Sequence, residues 1–295
     1  MSELISKIGR FLYREAPGRS VQLARLYEAL PSSDKVAIGK ALRRMEDEEL
    51  VEAPFERDAI RLSLVGRDAW NDGSIVELTL GMEYVGRRYG PATVHIIVTG
   101  VSGEFGGSGF FSAEYPGWIV TGAHVLLERK ILRIENQQRE IVAMPPFGIC
   151  LPKDGIDLAL VKCDCPPGIN PIRIEWRRSK IEPMDRLLVL GYPPYPNLLT
   201  ALDHVSAELR SVTTDFRGEF EHLVMSSVTR PGSSGGPVLS KRGRAIGVVE
   251  QDNEGQHLDG RVVHAFTATP ALYLAKLCNP PGPRWVRCDK EKVVE

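Results

Sequence analysis

The 295-residue chain has no apolar run approaching the ~18 residues of a membrane span; its best is a stretch such as Val94–Val98. It also lacks a charge excess of either sign, with 37 Lys+Arg against 38 Asp+Glu. There is thus no basic surplus pointing at nucleic acid and no acidic solvating tail. Met1–Lys7 lacks the basic start and apolar stretch of a secretory signal. Cysteine is scarce and odd in number: Cys150, Cys163, Cys165, Cys278 and Cys288. That argues against a disulfide scaffold and for reduced, packed thiols in a cytoplasm. No second Cys/His pair accompanies Cys163-Asp164-Cys165 at zinc-ligand spacing, so neither a metal nor a membrane partner is expected.

What is present is ordinary globular material. Hydrophobic residues make up 43% and charged ones 25%, enough apolar content for a packed core and too much for disorder. The length corresponds to about two domains. Gly and Pro divide the chain: residues 1–75 hold 5 Gly and 3 Pro, and the other 220 residues hold 41. A turn-poor segment before a turn-rich one predicts a helical domain followed by a β-rich domain.

In residues 1–75, Leu4, Ile5, Ile8, Phe11 and Leu12 recur at helical spacing. Ser20 is placed to cap a second helix carrying Leu23, Leu26, Tyr27 and Leu30, stopped by Pro31. Ser33 is placed to cap a third, with Ile38, Ala41, Leu42 and Met45. Two β-like runs, 50–52 and 60–64, follow. This order resembles a winged helix-turn-helix domain, a small α+β unit with residues ~53–60 as the wing. Lys35, Lys40, Arg43, Arg44, Arg57 and Arg61 are candidate phosphate contacts, but Glu46-Asp47-Glu48-Glu49 crowd the third helix. The segment carries 12 basic and 13 acidic residues. A regulatory protein partner is therefore favoured over nucleic acid, because phosphate contacts dominate DNA affinity.

From about residue 90, short β-like runs alternate with turns, among them Trp118–Thr121, Lys130–Glu135, Arg186–Leu190 and Ala245–Val249. Such spacing predicts an antiparallel sandwich or a pair of barrels. Thr269-Pro270 is placed to open a short final helix over 271–277. Residues 76–89 would be a linker, 90–278 the β-rich domain and 279–295 a tail.

Three motifs fall in order in this half: Thr121-Gly122-Ala123-His124, Asp157-Leu158-Ala159-Leu160 and Gly232-Ser233-Ser234-Gly235-Gly236-Pro237. Each alone has a bland reading as a structural histidine, a strand start or a plain turn. Together, with separations of 33 and 77 residues, they compose a hydrolytic set. A serine hydroxyl needs a base within reach, histidine titrates near the working pH, and a carboxylate fixes the imidazole tautomer. Glycines beside the serine let backbone N–H groups, here those of Gly232 and Ser234, face a developing oxyanion.

These motifs resemble those of trypsin-like (chymotrypsin-fold) serine proteases. Gly107-Ser108-Gly109, Leu190-Gly191-Tyr192-Pro193 and Phe266-Thr267-Ala268-Thr269-Pro270 are similar to the HtrA-type branch. The resemblance implies an all-β, double β-barrel domain, with His124 as general base, Asp157 as its orienting acid and Ser234 as nucleophile. It places Val228 at the base of the specificity pocket and Val249, Glu250 and Gln251 along an extended protein or peptide substrate. Val228 implies a preference for small or medium apolar side chains. Ser233 stands where relatives carry Asp or Asn, which excludes the zymogen switch of digestive relatives. A PDZ domain is not expected in the residues after the protease domain.

Three functions follow: a serine endopeptidase with a regulatory or docking winged helix, a DNA-binding regulator with an attached protease, or a latent or pseudo-protease binding module. Retention of all three catalytic side chain types favours the first.

Overall fold

A computed structural model describes residues 1–15, 19–31, 34–52, 58–100, 103–152, 155–195, 198–215, 218–226, 230–250, 253–256, 262–274 and 285–287. The chain divides into two units, Met1–Val85 and Gly86–Glu295.

The first unit contains α1 (Ser2–Glu15), β1 (Val21–Gln22), α2 (Leu23–Ala29), α3 (Lys35–Asp47), β2 (Val51–Glu52), β3 (Ala59–Leu62) and α4 (Leu64–Asn71). The strands form a sheet of order β1-β3-β2. The expected periodicity is realised: Ile5, Ile8 and Leu12 of α1 and Ile38, Ala41, Leu42 and Met45 of α3 are buried in one core. Two helix starts differ from expectation. Val21 and Gln22 pair with Ile60 and Ala59, so that stretch is strand and α2 begins at Leu23 without a side-chain cap. In α3 the cap is Asp34, whose carboxylate accepts the Val36 N–H at 3.0 Å, while Ser33 lies outside the described residues. Ser63 caps α4, a helix the sequence pattern did not announce, by accepting the Gly66 N–H at 2.9 Å. The stretch 76–89, expected as a linker, is helical: α5 (Ile75–Tyr89) carries a break at Gly81, whose φ is 75°.

The second unit is β-rich. Its strands are β4 (Thr93–Gly100), β5 (Gly103–Phe111), β6 (Trp118–Thr121), β7 (Lys130–Glu135), β8 (Ile141–Ala143), β9 (Ile149–Pro152), β10 (Ala159–Lys162), β11 (Arg173–Ile174), β12 (Arg186–Gly191), β13 (Asp203–Thr214), β14 (Glu221–Met225), β15 (Pro237–Ser240), β16 (Arg244–Val249), β17 (Asn253–Gln256), β18 (Val262–Pro270) and β19 (Trp285–Arg287). The one-turn helix α6 (Ala123–Leu126) follows β6.

These strands make two sheets, of order β19-β9-β10-β6-β5-β4-β7-β8 and β11-β16-β15-β12-β13-β14-β18-β17. In the second, a further pairing of β16 with β18 closes a six-stranded barrel around Leu187, Val189, Leu209, Leu223, Val238 and Ile246. The first sheet is the correction to a double barrel. Among the described residues nothing pairs β8 with β19, so it is a half-barrel, curved over Val94, Ile96, Phe111, Ile119 and Val161. Thr269-Pro270 ends β18, and after a turn Tyr273 and Leu274 are helical; the rest of the helix expected over 271–277 lies outside the described residues.

Burial also sets a pH dependence. His95 on β4 stacks on Tyr192 with ring centroids 5.2 Å apart. Desolvation outweighs the attraction of Glu135 and pulls its pKa down to about 4. Between the ordinary imidazole value and that one, the unfolded chain holds a proton that the folded chain lacks. Stability is therefore full above pH ~6.5 and falls as pH drops toward ~4, by at most about 3 kcal/mol. Denaturant melts from pH 7 to 4 check this: His95→Gln should flatten that slope, and an unchanged slope would refute it.

Candidate active site

Each of the three motifs sits where a strand ends. β6 runs into Gly122 and then α6, which presents His124 one residue past its start. Asp157 lies in the turn just before β10, and β10 pairs with β6 with Leu160 opposite Val120. That pairing brings the Asp157 turn to the His124 helix. The Asp157 carboxylate uses both oxygens on one residue: Oδ1 accepts the His124 backbone N–H at 2.9 Å, and Oδ2 lies 2.6 Å from the imidazole Nδ1. With Nδ1–H donated to the carboxylate, Nε2 carries the lone pair. Nε2 is buried and has no hydrogen-bond partner among the described residues. Sequence order alone could not supply this two-point clamp, which needs the β6–β10 register.

The serine loop precedes β15 and is held by both sheets. Ser108 on β5, fully buried, is the joint. Its N–H donates to the Ser234 carbonyl at 2.7 Å and its hydroxyl donates to the Gly232 carbonyl at 2.7 Å. The same hydroxyl accepts the Tyr192 N–H at 2.9 Å, and its carbonyl accepts the Thr121 hydroxyl at 2.6 Å. Four segments, carrying residues 108, 121, 192 and 232–234, are thereby fastened beside Gly122. Gly235 shows how close the approach is. Its φ is 83°, and a Cβ there would run into the Ser108 carbonyl and the Thr121 hydroxyl and stand 3.0 Å from the Gly122 nitrogen.

Within the loop three N–H groups are bonded. That of Ser233 goes to the Arg230 carbonyl at 3.0 Å, that of Gly235 to Val249 at 2.8 Å and that of Gly236 to Ser233 at 2.9 Å. Among the described residues the N–H groups of Gly232 and Ser234 have no hydrogen-bond partner. The adjacent serines also differ. Ser233 is buried at 4% exposure with its Cα against Gly191, whereas Ser234 is half-buried.

The residues expected along the substrate divide differently. Val228 and Gln251 lie outside the described residues. Val249 packs in the barrel core, and its N–H and C=O are bonded to Gly236 and Gly235. The Glu250 carboxylate is buried and bonded to His222 at 2.9 and 3.0 Å and to Thr269. Ser108, Thr121 and His222 were not assigned such roles from sequence. Their contacts join residues 13 to 124 positions apart, for which periodicity carries no signal.

Three thiols are described. Cys150 and Cys163 are buried and Cys165 is partly so. Burial pushes Cys163 up to about 11, so it is protonated and inert at neutral pH.

No helix among the described residues is long and apolar enough to cross a membrane. No curated protein matches the chain. Among solved structures, an HtrA-type protease AlgW with a tripeptide is 18% identical with a TM-score of 0.51, covering 66% of this chain and 61% of that one. A serine endoprotease from Yersinia pestis is 21% identical with a TM-score of 0.49, covering 66% of this chain and 64% of that one. The chain thus spans less than two thirds of either structure's length. Residues 107–248, which hold the Ser108 joint, all three motifs and most of the closed barrel, match the family described as trypsin-like peptidase domain. The match identifies residues 107–248 as a trypsin-like peptidase domain.

Proposed function

We propose that the chain is a serine endopeptidase acting on proteins or peptides, with Ser234 as nucleophile, His124 as general base and Asp157 as the acid that orients it. The observation that carries this reading is the Asp157 clamp on His124. It leaves a buried Nε2 and, in the serine loop, the N–H groups of Gly232 and Ser234 without hydrogen-bond partners among the described residues. Ser234 Oγ would attack the scissile carbonyl carbon while its proton passes to Nε2. The carbonyl oxygen, gaining the electron pair, would be received by the N–H groups of Gly232 and Ser234. Collapse expels the amine, protonated by the imidazolium, and leaves an acyl-Ser234 that water hydrolyses by the same steps. The test is labelling of the native protein by a fluorophosphonate, together with cleavage of an unfolded protein substrate. No more labelling than in the heat-denatured protein would overturn the reading.

The first unit is proposed to be a winged helix that docks a protein partner. Support comes from the three-stranded sheet beside α3 and from its mixed charge. Lys35, Lys40, Arg43 and Arg44 are exposed, but so are Glu46, Asp47, Glu48 and Glu49. Arg61 is already paired with Glu52 at 2.7 Å. Duplex DNA binding by the full chain is therefore expected to be weak, with little dependence on salt. A steep loss of tight binding with rising salt would instead establish the DNA-regulator reading.

A further inference from the structure

The Gly232 N–H, one of the two donors proposed for the oxyanion, belongs to the central peptide of a tight turn. Arg230, Pro231, Gly232 and Ser233 form that turn, closed by the Ser233 N–H donating to the Arg230 carbonyl at 3.0 Å. The φ of Gly232 is 91°, which with Pro at the second position is the pattern of a type II turn. Rotating the central peptide converts such a turn to type I, with Gly232 at negative φ and its N–H on the opposite side. Whatever holds the type II form therefore decides which way this donor points. The Ser108 hydroxyl holds the carbonyl of the following peptide, not of the central one.

One neighbouring segment, residues 192–195, touches the turn at two places. A Cβ on Gly232 would stand 2.6 Å from the Tyr192 carbonyl oxygen and 2.9 Å from Pro194 Cδ, so the glycine is packed against this segment. At the first position of the turn, the Arg230 guanidinium lies over the Tyr195 ring, 5.0 Å from its centroid. The Tyr195 hydroxyl donates to the Asp203 carboxylate at 2.7 Å. Asp203 opens β13 and pairs with Gly191 at the end of β12. Tyr195 is thus tied by its hydroxyl to the closed barrel and by its ring face to the start of the turn.

We propose that Tyr195 and Arg230 form a latch that holds the turn in its type II form, and so act as positioning residues for the Gly232 N–H. This rests on the triad and oxyanion reading above. Neither side chain is given a part in the chemistry. Their effect passes through the orientation of one peptide, whose donor matters most when the carbonyl oxygen carries charge. Loss of the latch should therefore slow the chemical step and leave substrate binding as it was.

Kinetics of the full chain on a fluorogenic peptide read this. Tyr195→Ala and Arg230→Ala should each lower kcat by about fivefold, the size of an exposed cation–π contact, with KM unchanged. The double variant should cost no more than either single one, because the two residues make one contact. Arg230→Lys, which keeps a cation over the ring, should stay within about twofold of wild type. Wild-type kinetics in both alanine variants, additive losses in the double variant, or a loss that falls on KM would overturn the proposal.

A second readout needs no turnover. In a type II turn the Pro231 Hα lies close to the Gly232 amide proton, and in type I it does not. The NMR cross-relaxation peak between these protons should be strong in wild type and in Arg230→Lys, and weaken in both alanine variants. A wild-type peak in the alanine variants would overturn the latch even where kcat falls. Failure of wild type to label with a fluorophosphonate would instead overturn the triad reading, while this peak still reports on the latch.

Discussion

Ser234→Ala is expected to lower turnover by about 10⁶-fold and abolish fluorophosphonate labelling, while Ser233→Ala stays within about tenfold of wild type. The two serines are neighbours in a Gly-rich turn, so composition does not tell them apart. The loop does. Ser233 is buried with its Cα against Gly191, and its N–H is spent on the Arg230 carbonyl. Ser234 is half-buried, its carbonyl is held by the Ser108 N–H, and its own N–H has no hydrogen-bond partner among the described residues. A nucleophile needs an accessible hydroxyl, and a tetrahedral intermediate on it needs donors one bond away. Only position 234 meets both conditions. His124→Ala should cost as much as Ser234→Ala, and the double variant little more, because base and nucleophile act as one unit. Kinetics on a fluorogenic peptide, with folding checked by circular dichroism, decide the matter. Full activity in Ser234→Ala with loss in Ser233→Ala would refute the assignment.

Asp157→Asn is expected to lower turnover by roughly 10⁴-fold without unfolding the domain. The reason lies in how the two oxygens are used. Oδ1 accepts the backbone N–H of His124 and must remain an acceptor, so the amide of Asn places its carbonyl there. The NH₂ group then occupies the Oδ2 position, 2.6 Å from Nδ1. It donates to Nδ1, which forces the proton onto Nε2 and removes the lone pair that would accept from Ser234. The loss should fall on kcat far more than on KM, because Asp157 acts through its two bonds to His124. An equal rise in KM with kcat preserved would contradict the role.

Several elements were legible before any coordinates. The α1 and α3 faces could be read because an amphipathic helix writes its buried side at fixed intervals; Ile38, Ala41, Leu42 and Met45 are all buried. β6 and β7 match the expected ranges because short apolar runs bounded by turn residues admit few alternatives. Helix starts were less legible. A Ser at 20 caps a helix only if the next residues are not claimed by a sheet, and Val21 and Gln22 pair with residues nearly forty positions on. Thr269-Pro270 is likewise claimed by a sheet, with Thr269 paired to Val248, so the helical residues begin only at Tyr273.

By itself the sequence determined the chemistry on offer: a two-part chain, a β-rich second part and a His, Asp, Ser order set among turn-forming glycines. Those are local properties, carried by composition, short-range periodicity and spacing. The tertiary structure decided which groups meet. It closed one barrel through the β16–β18 pairing and left the other half open, set the β6–β10 register that clamps His124, and made Ser108 the joint of the serine loop. It also paired the Glu250 carboxylate with His222. Such choices arise because a buried polar group must find a partner wherever the fold brings one, and that partner is rarely near in sequence.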